Sequence, residues 1–370
     1  MKKYAGMLVA LMFILLAVTG LAQEYYTLPE IREQAAAGWH ETYTDKYGRM
    51  VQVDIDIDVF GGDQAPVVKA DVPEFVEYRY HAGYPYDSVT DVARKGGKRT
   101  HPYRTYGEEV NLDKAYGADY GNDLTVREAY DFLAELLEEH GHGYSVDDFI
   151  LNPPDNFDVV YSKMVATGEV HVPALYNITL WQQMHGLPII IGAEWGFKNE
   201  GTRSYDPRLF FQMRNKNEKE HSLILRPLRE VEVLAEDIPL CSVEKVIRSI
   251  EGWIEGGYVQ HVMLLQFGYV IYSDPTIQNF RKSNSIQEEE SFYLVPSWVL
   301  VSIFSSNPKE YDKIAIDALN PDDDRFGEYT ARSYLIINAQ TGKVLDYFDT
   351  SKNGGGDGSY KGFISWEDVR

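Results

Sequence analysis

One cysteine, Cys241, stands in a chain of 370 residues, so no intramolecular disulfide can form. The fold must therefore rest on its hydrophobic core. Cations are scarce as well: 35 Lys and Arg face 57 Asp and Glu, a net charge of −22. A surface that acidic repels phosphate backbones and anionic headgroups, which excludes nucleic acid as a partner and disfavours peripheral membrane binding. Acidic cell-wall polymers are poor partners for the same reason unless a cation bridges them. Neither an HExxH nor a CxxC spacing occurs, nor a GxSxG elbow, a Walker loop or a dinucleotide loop. Zinc-hydrolase, serine-hydrolase and nucleotide chemistry thus lack their usual signatures. Cys241, just ahead of a helix in IPLCSVEKV, reads as a small buried hydrophobe.

The long apolar run is at the start. In MKKYAGMLVALMFILLAVTGLAQ, Lys2 and Lys3 precede an apolar stretch from Tyr4 to Val18, and Gly20 and Ala22 supply small residues before a cut between Ala22 and Gln23. That is the layout of a secretory signal, and it predicts an extracytoplasmic, bacterial location, secreted or in the cell envelope. The competing reading is an uncleaved anchor, since Tyr4 to Ala22 is nearly long enough to cross a bilayer. Membrane association is expected only in that case. No cysteine occupies the position of Gln23, so lipid attachment is not expected. Removing residues 1–22 takes away two lysines and no acid, which moves the net charge to −24.

Local signals then divide the rest into 23–123, 124–236 and 237–370. Thr27 and Glu30 form a capping box with Pro29 in the first turn, and Gly38 closes that short helix. Asp45 to Gly48 is a turn, after which Val51, Val53, Ile55, Ile57 and Val59 alternate with Gln52, Asp54, Asp56 and Asp58. This predicts a hairpin with one dry face and one solvated, acidic face. Residues 81–123, rich in Tyr, Gly and Asp, show no sustained period and read as a long surface excursion. Tyrosines there either grip a ligand or pin the segment to the body.

Two amphipathic helices follow. Thr125 and Glu128 cap a helix with Val126, Ala129, Tyr130, Leu133, Leu136 and Leu137 on one face. Ser242 caps a second, with Val243, Val246, Ile247, Ile250, Trp253 and Ile254 on one face. The apolar spacing is the same in both, and each helix ends at glycine. β-rich segments follow each helix: the run around Pro188 corresponds to that around Pro296, and SLILRPLREVEVL to SYLIINAQTGKVL. The expectation is a tandem duplication of one α+β unit.

Residues Tyr334 to Leu345, YLIINAQTGKVL, resemble the closing hairpin of PepSY-like domains, a strand ending in an Asn–x–x–Thr–Gly–Lys turn, and GLPIII after YNITLWQQM is similar to their strand–turn–strand signature. Most of the chain resembles an uncharacterised family of secreted proteins and lipoproteins from Gram-positive gut bacteria. That likeness rests on EYYTLPEIREQAAAGWHETY, LCSVEKVIRSIEGWIEGGYV with FGYVIYSDP, and YLVPSW. The resemblance implies an α+β fold: an N-terminal β-rich region followed by two helix-on-antiparallel-sheet units. It also implies inhibitory, binding or regulatory work outside the cell, with no catalytic residues to carry over.

The remaining candidates are local. Asp349, Ser351, Asn353 and Asp357 follow the start of a calcium loop, but Tyr360 stands where a bidentate glutamate should close the shell. Calcium is thus the one cofactor candidate, against a glycine-rich loop that needs none. Asn320 to Asp324 lacks the bend glycine and reads as an exposed turn. His140 and His142 straddle a helix end, where His140 offsets the helix dipole. Asn177-Ile-Thr179 matches a glycosylation acceptor but lies in an apparent strand of a bacterial-type protein. Glu194 beside Trp195 is the one pointer to a carboxylate-based secreted hydrolase, weak among 57 acidic residues. The leading expectation is a non-enzymatic binding or regulatory protein whose partner is a protein, a peptide or a cell-envelope component. The alternatives are that hydrolase and a membrane-tethered sensor partner.

Overall fold

A computed structural model of the protein describes residues 25–71, 76–80, 97–104, 110–151, 157–164, 166–167, 169–191, 208–214, 221–225, 227–273, 291–304, 308–309 and 333–349. The capping box at Thr27 and Glu30 starts helix α1 (Leu28–Ala35), which buries Leu28, Ile31 and Ala35. The Asp45–Gly48 turn joins β1 (Trp39–Thr44) to β2 (Met50–Ile55) as an antiparallel hairpin. Asp45 holds that turn by accepting from the Tyr47 and Arg49 amides and from the Arg49 guanidinium at 2.6 Å. Those donors hold its carboxyl below the usual carboxylate range against the opposing effect of burial.

The chain then leaves the hairpin. β3 (Ile57–Val59), β4 (Val67–Asp71), β5 (Val76–Tyr80) and β6 (Gly97–Arg104) all enter one large sheet. Helix α2 (Val126–His140) is capped by Thr125 and Glu128, and its apolar stripe Val126, Ala129, Leu133, Leu136 and Leu137 is buried. It is followed by β7 (Phe149–Leu151), β8 (Phe157–Met164), β9 (Val170–Met184), β10 (Leu187–Ile191), β11 (Arg208–Met213), β12 (His221–Leu225) and β13 (Arg229–Ala235). Helix α3 (Val243–Glu255) is capped by Ser242 and precedes β14 (Val259–Ser273), β15 (Ser291–Phe304), β16 (Ser333–Asn338) and β17 (Val344–Asp349). Among the described residues, no helix is long and apolar enough to cross a membrane.

The expected α+β fold of two consecutive helix-on-sheet units is not what these elements build. Among the described residues fifteen strands form one sheet, whose longest path runs β13-β4-β15-β14-β10-β9-β11-β12-β5. The segments from the N-terminal region are threaded into it: β4 lies between β13 and β15, β3 pairs with β14, and β5 pairs with β12. The duplication fails at its clearest correspondence. β16 and β17 pair with each other, whereas β12 and β13 do not, because the chain crosses between them from one half of the sheet to the other. The cause is that periodicity and turns are written locally, while strand partners here lie far apart in the chain. Residues 97–104, inside the expected surface excursion, form β6 against β8. Further along that stretch Tyr116 and Tyr120 pack on a core, so there the tyrosines pin the segment to the body.

Two cores result. One gathers α1, α3 and the β14–β15 half; the other gathers α2, β8, β9, β11 and β12. The halves meet at β10, which pairs antiparallel with β9 and parallel with β14. β3 and β10 share one flank of β14, β3 along Leu265–Phe267 and β10 along Tyr269–Val270. Where they meet, Gly268 leaves no space for a side chain: a Cβ there would lie 2.6 Å from both the Ile190 side chain and the Pro188 carbonyl.

Candidate functional site

Polar groups collect at this seam. β9 turns into β10 through His185 and Gly186, with φ of +51° and +78° and Met184 opposite Leu187, a two-residue hairpin turn. The turn rests on the glycines after β3. A Cβ on Gly62, at φ +109°, would come within 2.7 Å of the His185 carbonyl. Arg32 of α1 holds those glycines by donating to the carbonyls of Phe60 at 3.0 Å and Gly62 at 2.6 Å.

From the seam emerges β13, fixed at both ends. Upstream, buried Gln182 donates to the Leu228 carbonyl at 2.6 Å and accepts from the Leu228 amide at 2.7 Å, and the Tyr144 hydroxyl donates to the same carbonyl at 3.3 Å. Burial raises the Tyr144 phenol against the opposing pull of the Arg229 charge. Arg229 grips Asp71 with two nitrogens, at 3.0 and 2.6 Å, and His185 meets Glu230 at 2.6 Å. Downstream, the Ala65 amide donates to the Asp237 carboxylate at 2.9 Å and the Ile238 amide to the Ala65 carbonyl at 3.1 Å. Within the field of Glu230, the Tyr269 phenol is buried and, among the described residues, has no hydrogen-bond partner. Burial, and secondly the Glu230 charge, push it far up.

Between its clamps β13 is exposed. Among the described residues it pairs only with β4, and the register skips twice, between Glu230 and Glu232 and between Val233 and Ala235. The extra residues at the two bulges are Val231 and Leu234, 54% and 39% exposed. Bulges re-aim side chains, and here they turn two apolar ones to water. Glu230, Glu232, Glu236 and Asp237 flank them along the chain, all exposed. The arrangement offers contact chemistry: an apolar pair with an acidic rim on a fixed backbone.

The residues singled out from the sequence lie elsewhere. Asp349 ends β17, while Ser351, Asn353 and Asp357 fall outside the described residues, as do Ala22, Gln23, Glu194, Trp195 and Asn320 to Asp324. Among the described residues no group of three or more His, Cys, Asp or Glu is placed to hold a metal ion. His140 ends α2, 3.7 Å from the Glu139 carboxylate, and His142 follows at φ +52°. Cys241 is fully buried, and that burial pushes its thiol up to about 11, with Lys245 opposing. Asn177 sits within β9, accepting from Gln212 at 2.7 Å. β13 itself was readable as a strand from REVEVL, but its alternation puts Val231 and Val233 on one buried face. The adjacent apolar pair Val233-Leu234 is the only sign that the alternation breaks.

No family model matches the chain, and no curated protein matches it. Among solved structures it is similar to an uncharacterized protein from Eubacterium rectale, at 11% identity and a TM-score of 0.39, covering 80% of this chain and 90% of that one.

Proposed function

We propose that this is a non-enzymatic binding protein acting outside the cytoplasm, and that β13 is its contact surface for a macromolecular partner. The signal-like N-terminus supports the location. The observation that carries the binding role is the pair Val231 and Leu234, held in water by a strand clamped at Leu228 and at Asp237–Ile238. Exposed apolar side chains on a preorganised backbone lose little entropy on docking, which is how contact residues gain affinity. A photo-cross-linking residue in place of Leu234, in the host that makes the protein, is expected to give a discrete adduct that the same residue at Met50 does not. Identical patterns at both positions, or no adduct at Leu234, would count against the reading. N-terminal sequencing tests the location: a mature start at Gln23 supports export with cleavage and sinks the tethered alternative.

The hydrolase alternative, whose Glu194 lies outside the described residues, draws on one structural observation at another carboxylate. Asp58 is half-buried, and burial together with the Asp56 charge pushes its carboxyl up to about 6, a value suited to a general acid. Its test is a panel of polysaccharide and peptide substrates, with Asp58→Asn as the blank. Turnover by the parent chain that the variant lacks would favour it.

A further inference from the structure

The character of β13 also constrains what docks there, on the reading that it is the contact surface. Two bulges within one short strand interrupt its ladder, so an added strand could not pair continuously along it. Extending the sheet is therefore a poor way to bind here, and side chains must make the contact. The exposed side chains along it are apolar Val231 and Leu234, interleaved with the acidic Glu230, Glu232, Glu236 and Asp237, of which Glu230 meets His185 and Asp237 accepts from the Ala65 amide. Nearby positive charge is limited: Arg229 is engaged by Asp71, His185 meets Glu230, and Lys69 lies opposite Glu232.

We infer that β13 receives a cationic amphipathic polypeptide segment, whose apolar stripe covers Val231 and Leu234 while flanking Lys or Arg side chains meet the acidic rim. Charge complementarity selects this occupant. A second copy of the chain would bring acidic rim against acidic rim, and each copy carries a net charge of −22. Nucleic acids and anionic membrane surfaces are repelled by the same field, which in turn steers a basic segment toward the strand. A neutral apolar segment would partly desolvate Glu232 and Glu236 without supplying them a partner, which disfavours it.

The test uses the full chain and a fluorescent helical peptide of leucines and lysines, with its glutamate-for-lysine counterpart as the control. Anisotropy is expected to show binding of the cationic peptide that weakens as salt rises. Val231→Ser combined with Leu234→Ser is expected to weaken it by about tenfold, with only a small drop in the melting midpoint, which stays well above the temperature of the binding measurement, because neither side chain is in the core. Met50→Ser, at another exposed apolar residue, should leave binding intact. Equal binding by the double variant would show that the peptide follows net charge alone, and absence of binding would likewise overturn the inference. A discrete cross-link from Leu234 to a partner segment without basic residues would overturn the inference while leaving the binding role standing.

Discussion

Asp58 shows how much the environment of a single residue can differ from its pattern. Asp54, Asp56 and Asp58 alternate identically with aliphatics, yet only Asp54 and Asp56 are exposed. β3 has left the hairpin and joined β14 in parallel, which sets Asp58 opposite buried Gln266. With its pKa raised from an ordinary 3.8 to about 6, the folded state binds a proton in that window that the unfolded state has lost. Stability should therefore fall as pH rises from about 4 to 6. Asp58→Asn is expected to stabilise the protein at neutral pH by about 1–2 kcal/mol, allowing for solvent screening, and to gain nothing at pH near 4. Urea melts at the two pH values check this. Cys241 poses the opposite case, where the sequence-level reading and the structure agree on a buried hydrophobe. With its thiol pushed up to about 11, it should resist alkylation in the folded protein and react only on denaturation, as mass spectrometry would show.

Elements whose stabilising contacts are local were the legible ones. The boxes at Thr27–Glu30 and Thr125–Glu128, the cap at Ser242 and the turn at Asp45–Gly48 all stand where residue order puts them. So does the tight closing turn, where Asn338 accepts from the Gln340 and Thr341 amides and Gly342 takes φ +70°. Thr125→Ala should cost about 1 kcal/mol, read from the shift of the denaturation midpoint. β13 was not legible in the same way, because its bulges arise in its pairing with β4 and its upstream clamp depends on Gln182, both far back in the chain. Gln182 is buried and satisfies both the amide and the carbonyl of Leu228. Gln182→Leu would strand the Leu228 amide and leave its carbonyl only the longer bond from Tyr144, so a loss of about 1–3 kcal/mol is expected. Hydrogen exchange should then accelerate along β13 more than along β14, which separates release of the strand from general destabilisation.

For the molecule as a whole, the two cores are joined where β10 meets β14, and this join sets how far the halves act as one. Gly268→Val would press on the Pro188 carbonyl and Ile190 at that point, for an expected loss of about 2–3 kcal/mol and a broadened or two-step transition by calorimetry. A single sharp transition in the variant would show that the halves are coupled by other contacts. The sequence could announce the helices of each core but not this join. Nothing near Leu187 or Tyr269 encodes that they belong to neighbouring parallel strands, and a five-residue strand such as β10 carries too short a pattern to reveal it. The apparent repeat arose because both helices carry the same apolar spacing, which any helix lying on a sheet requires.

The threading of the early strands into the late sheet also has a consequence in time. As the chain emerges, β3 must wait for β14, β5 for β12, and β4 for both β13 and β15 before their backbones find partners. A nascent chain that has not reached residue 304 lacks the strand that closes the sheet around β4, so closure is a late, long-range event rather than a stepwise accumulation of finished modules. Under the proposed export route, that delay would leave the early strands unpaired while the chain crosses a membrane.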